Sequence, residues 1–141
     1  MRFMLLMIPN GYEKAAPGTT PDAKGVEAMM KYTESLRTAG VLLALDGLHP
    51  QSAGARVTFS GGRPMVTDGP FIETKEAVGG YWVIQVNSKA EAVTWASRCP
   101  ADNAVIEVRQ VFEVSEFPAD VQKVAATFPE LQARMGRHPR R

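Results

Sequence analysis

Cysteine and histidine are nearly absent from this chain, neither sign of charge is in excess, and no apolar run reaches membrane length. The single Cys99 among 141 residues cannot form an internal disulfide, which fits a reducing, cytoplasmic setting. One cysteine and two histidines, His49 and His138, do not make a transition-metal set, so no metal is expected. Crossing a bilayer takes about 20 consecutive apolar residues, and the chain holds no such run. The opening Met1-Arg2-Phe3-Met4-Leu5-Leu6-Met7-Ile8 has the hydropathy of a signal peptide. Pro9-Asn10-Gly11 cuts it short and no small-residue cleavage site follows, so it reads as a first strand. Lys and Arg number 16 against 15 Asp and Glu, a net charge of +1, which leaves no field to draw the chain to nucleic acid or membrane. The arginines at 134, 137, 140 and 141 accordingly read as a solvated basic tail rather than a nucleic-acid contact. GxGxxG and P-loop patterns are missing, and no organic cofactor is expected.

What is present is ordinary in bulk: 45% hydrophobic, 22% charged, and a length suited to one domain. Residues 2–8 form a strand with both faces apolar, Met4, Leu6 and Ile8 against Phe3, Leu5 and Met7, as strands covered on both sides do. Residues 9–21, with three prolines and two glycines, form a loop. Asp22 caps a helix to about residue 39, with Val26, Met29, Met30, Thr33 and Leu36 as its inward stripe and Gly40 as its stop. A short strand at 41–45 leads into Asp46-Gly47-Leu48-His49-Pro50. Strands at 56–60 and 64–67 flank a Gly61-Gly62 hairpin turn. A central strand covers 81–86. Ser88 then caps a second helix to about 98, with Ala92, Val93, Trp95 and Ala96 inward. A last long strand covers 104–114, with Ile106, Val108 and Phe112 toward the helices, and Phe117-Pro118 closes the core. One or two short helices fill 119–135.

That order, β-α-β, a hairpin insert, then β-α-β, is the ferredoxin-like α+β pattern: an antiparallel sheet with two helices on one face. The domain is expected over 1–117, with a helical extension and basic tail over 118–141. In a lone monomer the sheet's other face should be polar at alternate positions. Here the first and the 81–86 strands keep apolar residues on both faces, and a second copy of the sheet is the simplest cover. A homodimer with its sheets face to face is therefore expected.

One segment is richer in special residues than folding needs. Thr67-Asp68-Gly69-Pro70-Phe71-Ile72-Glu73-Thr74-Lys75-Glu76, running into Gly79-Gly80-Tyr81, carries four charges and three glycines where a hairpin rejoins the sheet. With Val66, Ala39-Gly40-Val41-Leu42, Gly47-Leu48-His49-Pro50 and Glu107-Val108-Arg109, it resembles the YCII-related family, in its DGPF branch, over residues 2–117. The resemblance implies a bacterial, largely uncharacterised protein folded as a dimeric α+β barrel. It implies for the family's other branch an enzymatic His–Asp pair with the histidine on the first helix; this chain has no histidine between Asp22 and Ala39. It also implies a setting beside extracytoplasmic-function sigma factors, a regulatory context.

Each candidate residue has two readings. Asp68 is a turn residue before Gly69-Pro70 or a carboxylate held at a cavity mouth as a general base. Glu73, Lys75 and Glu76 are a solvated mixed-charge loop, or, with Phe71 and Ile72 anchored inward, a loop placing Glu73 or Lys75 over a ligand. Gly79-Gly80 mark a bulge or close backbone approach. Glu107 and Arg109 share a strand face toward the dimer's inside. They are a structural ion pair, or Arg109 is an anchor for an anion, its guanidinium matching a carboxylate. His49, the one histidine in the core region, is the residue type suited to proton transfer, but it sits in an exposed loop. Tyr32 and Tyr81 are core aromatics or ligand-orienting hydroxyls, and Cys99 is a buried small hydrophobe. Together they suggest a small anionic or carbonyl-bearing molecule between two sheets, with Asp68 and His49 for acid–base chemistry and Arg109, Glu73, Lys75 and Tyr81 for binding. Whether turnover occurs stays open. A non-catalytic regulatory or protein-interaction module is the rival, and a purely structural dimer the third possibility.

Overall fold

The first strand, β1 (Arg2–Pro9), alternates as its sequence dictates: Phe3, Leu5 and Met7 are buried while Met4, Leu6 and Ile8 are half-covered on the opposite face. The computed structural model describes residues 1–135, so the basic tail expected at 136–141 lies outside the described residues. Helix α1 (Ala23–Thr38) starts where Asp22 accepts from the Gly25 N–H at 2.7 Å, satisfying one of the amides that the first turn leaves unpaired. It stops at Gly40, whose φ of +75° lets the Val41 N–H turn back onto the Leu36 carbonyl.

The buried stripe of α1 differs from the expected one. Tyr32 and Leu36 are buried, whereas Val26 and Met30 are exposed. The helix is turned to seat Tyr32, because both ends of that side chain find partners inside. Its ring meets Trp82 edge-on at 5.3 Å, and its hydroxyl donates to the Trp95 carbonyl at 2.7 Å. Thr33 completes the arrangement by accepting from the Trp82 indole N–H at 3.0 Å and donating to the Met29 carbonyl at 2.8 Å.

Strands β2 (Leu42–Gly47), β5 (Gly80–Gln85) and β6 (Ala104–Gln110) join β1 in a four-stranded sheet of order β2-β5-β1-β6, every neighbour antiparallel. Helix α2 (Lys89–Ser97) connects β5 to β6 and is capped by Ser88, which accepts from the Glu91 N–H at 3.1 Å. Both helices cover one face of the sheet, where Phe3, Leu5, Leu36, Trp82, Ile84, Val86 and Ala92 form the core. This is the ferredoxin-like α+β arrangement. On α2, Val93 is exposed rather than inward. Strand β6 ends at Gln110 instead of continuing to 114, and Phe112 is 67% exposed. The chain leaves the sheet there, and Phe112 stacks on Phe117 at 5.2 Å instead of joining the core.

Strands β3 (Ala55–Ser60) and β4 (Arg63–Asp68) form a separate two-stranded hairpin spliced into the β2–β5 connection. Gly61 and Gly62, at φ +59° and +78°, give the turn the twist a two-residue hairpin needs. After β6, helices α3 (Ala119–Ala126) and α4 (Pro129–Arg134) are the short helices expected over 119–135.

Burial of Tyr32 sets an alkaline limit on stability. Removal from water pushes its phenol from 10.0 up to about 12, so the folded chain holds a proton that the unfolded chain releases above pH 10. Stability from this group is fully present below pH 10 and is lost as pH rises toward 12, a loss of roughly 2–3 kcal/mol. Burial likewise pushes the Cys99 thiol up to about 11, which adds to the loss from a slightly lower pH. Urea midpoints measured across this window should fall for the wild type and fall less for Tyr32→Phe; equal slopes would refute the assignment.

Candidate functional site

The sheet face away from the helices is built from two cross-strand rows. Pairing across β2, β5, β1 and β6 sets Ala44, Val83, Met4 and Arg109 in one row and Asp46, Tyr81, Leu6 and Glu107 in the next. The middle of this face is apolar and its two edges are polar. At the β2 edge the Tyr81 hydroxyl donates to Asp46 Oδ2 at 2.7 Å. That bond, more than burial, raises the Tyr81 pKa, because the neutral phenol is the form Asp46 can accept from. At the β6 edge Arg109 Nη1 lies 3.3 Å from Glu107 Oε2, both side chains largely in solvent, so the pair itself adds little stability. The end of the face is closed by Arg2, only 8% exposed. Its Nε and Nη2 hold Glu113 at 2.7 and 3.1 Å, and these hydrogen bonds keep the Glu113 carboxyl below the usual range.

Arg109 and Tyr81 thus fall on the surface where the sequence put them. Asp46 was missed. It reads as a turn residue in Leu45-Asp46-Gly47, and only the register that sets β2 beside β5 brings it to Tyr81.

The glycine-rich motif lies elsewhere. Asp68 ends β4 opposite Ala55 and is exposed, and its carboxylate accepts no hydrogen bond among the described residues. The residue that shapes the turn is Gly69, whose N–H donates to the Gly54 carbonyl at 2.9 Å. A Cβ at Gly69 would stand 2.0 Å from the Gln51 carbonyl oxygen, so only glycine fits. Gly80 is similar, with a Cβ 2.9 Å from the Asp46 carbonyl oxygen. Of the two apolar residues expected to anchor the loop, Phe71 does so, lying under the Arg56 guanidinium at 4.0 Å. Ile72 is 100% exposed, a correction: Arg56, which also donates to the Thr74 hydroxyl at 3.1 Å, holds the loop from the other side.

Lys75 and Glu76 line an open hollow of about 250 Å³ with Ile8, Pro9, Glu13 and Asn103, beyond the end of β1. Glu73 and His49 are exposed and outside it. The structure does not gather the candidates into one place within a chain. Tyr81 and Arg109 lie on the open face, Lys75 in the end hollow, and Asp68, Glu73 and His49 on the connections at that end. Among the described residues no group of three His, Cys, Asp or Glu is placed to hold a metal ion. No helix is long and apolar enough to cross a membrane.

With that geometry in view, the comparison with known proteins is direct. The YCII-related domain matches residues 1–115. The chain belongs to the YCII-related family. It is also 41% identical over 66 residues to an uncharacterised protein of Rhizobium meliloti (strain 1021). That match covers 47% of this chain and 50% of the relative, so it spans only half the relative's length. The family match ends before α3, leaving both C-terminal helices outside it.

Proposed function

We propose that this YCII-related protein, with the DGPF form of the motif, works as a homodimer. Its open sheet faces enclose a small anionic or carbonyl-bearing molecule. The observation that carries this is the sheet face away from the helices: half-covered Met4 and Leu6, with Val83 buried beside them, lie between the Tyr81–Asp46 pair and the Arg109–Glu107 pair. Apolar walls with a few convergent polar groups are what small-molecule sites are made of. Arg109 supplies the anion anchor, since its guanidinium can exchange the exposed Glu107 for a ligand carboxylate. Tyr81 keeps its proton and orients a ligand oxygen, and Asp46, its acceptor, is the nearest base. Asp68 and His49 enter this space, in this reading, from the second copy.

The experiment is a thermal-melt screen against small carboxylates and 2-oxo acids, followed by Arg109→Ala. A stabilising carboxylate is expected, bound roughly 10- to 100-fold more weakly by the variant, the loss of a charge-assisted hydrogen bond. Equal shifts for wild type and Arg109→Ala would overturn the role of Arg109. A second reading, a regulatory module without catalysis, is favoured by the fully exposed Ile72 in the motif loop. A stoichiometric protein partner that Ile72→Asp releases, together with no ligand response, would select it.

A further inference from the structure

Two apolar surfaces remain that the open sheet face does not account for. The first is one side of the hairpin. Its register pairs Val57 with Val66 and Phe59 with Pro64, so these four share a face, and Phe59 is 77% exposed. The second lies on the α3–α4 pair, where Val121 and Val124 on α3, Phe128 at the junction and Leu131 on α4 all stand exposed. Isolated apolar residues on a surface need no explanation, but two contiguous patches do.

The area leaves room for a partner to cover them. A compact monomer of this mass, 15.4 kDa, exposes roughly 7,200 Å². This chain exposes 10311 Å², an excess of about 3,000 Å² against the ~800 Å² that each partner contributes to a standard interface. One sheet-on-sheet contact of ordinary size leaves room in that excess for the hairpin and the two C-terminal helices to be covered as well.

Topology says which surfaces meet. The hairpin sits in the β2–β5 connection, at the Pro9 and Gly80 end of the sheet. The extension leaves β6, the opposite edge, at the Arg2 and Gln110 end, anchored by the Arg2–Glu113 pair. These are diagonally opposite corners, which cannot meet within a chain. A two-fold axis lying between the sheets and along the other diagonal exchanges them. It also crosses the strands of the two sheets near a right angle, one of the two ways sheets pack.

We infer that each protomer's C-terminal helices α3 and α4 clasp the apolar side of the β3–β4 hairpin of a second copy, closing both ends of the ligand space. This rests on the proposed face-to-face dimer. The occupant of both patches is the same chain, because each patch supplies the apolar counterpart that the other lacks, and a two-fold axis makes the contact twice.

Cross-linking tests it. Val57→Cys and Val124→Cys are placed in separate, differently tagged chains carrying Cys99→Ala, co-expressed, and treated with a short bismaleimide. Val66→Cys with Leu131→Cys is the second pair, and all four sites are exposed. Efficient linkage between the two tagged chains is expected, with little linkage when either variant is expressed alone. If the sample sediments as a dimer and neither pair links between chains, the clasp is wrong and the face-to-face dimer stands. If the sample sediments as single chains, the dimer reading fails as well.

Discussion

Leu6→Glu is expected to convert the protein into folded monomers. Leu6 sits at the centre of the open face, between Tyr81 on β5 and Glu107 on β6, while the core is made by Phe3, Leu5 and Met7 on the other side of the same strand. A glutamate there keeps access to water in a lone chain, where Leu6 is only half-covered, and its position opposite Glu107 costs about 1 kcal/mol. In the dimer it would be an unpaired buried charge worth several kcal/mol, and two-fold symmetry buries two of them. Dimerisation should weaken by at least about a thousandfold. Sedimentation at micromolar concentration should show single chains that keep the wild-type circular dichroism, with a melting temperature below that of the dimeric wild type because the stabilisation from association is lost. A Leu6→Glu protein that still sediments as a dimer would place the interface elsewhere.

Gly69→Ala is expected to be the most damaging small substitution in the motif. The added Cβ would stand 2.0 Å from the Gln51 carbonyl oxygen and 3.1 Å from the Ser52 Cα, both backbone atoms that cannot swing aside. Relief requires separating the hairpin base from the short helical turn at Gln51–Ala53, which breaks the Gly69–Gly54 hydrogen bond. Forced overpacking of this kind costs about 1–3 kcal/mol and can cost more. The damage should be local: amide exchange should rise across 51–69 while the core amides of β1 and β5 stay protected. Asp68→Ala, by contrast, should leave stability nearly unchanged, because its carboxylate makes no hydrogen bond among the described residues. If Asp68→Ala destabilised more than Gly69→Ala, the motif's structural role would be misassigned.

Much of the fold was legible in the sequence because its signals are local. Asp22, Gly40, Ser88 and Gly61-Gly62 mark caps and turns through their own backbone chemistry, and the strand alternation in residues 2–8 and 81–86 needs no partner to be seen. The misreadings are tertiary. Val26 and Met30 fit a helical stripe, but Tyr32 outbids them by filling the space beside Trp82 and reaching the Trp95 carbonyl. Phe112 continues the alternation of β6, yet the strand has already ended. At the site, Tyr81 and Arg109 were legible because strand parity fixes their face. Asp46 was not, since its value comes from a cross-strand register that includes a bulge between Leu42 and Ala44. Asp68 stood out because the glycine and proline beside it are informative, and in the structure those neighbours, more than the carboxylate, carry the local geometry.

The central claim is that the open sheet face is an inner surface, completed by a second copy of the chain. Sedimentation equilibrium of the wild-type protein at micromolar concentration tests it most directly. A mass twice the chain's 15.4 kDa is the expected result. A mass of one chain, across the whole concentration range, would contradict the enclosed site and leave Tyr81 and Arg109 as ordinary surface residues.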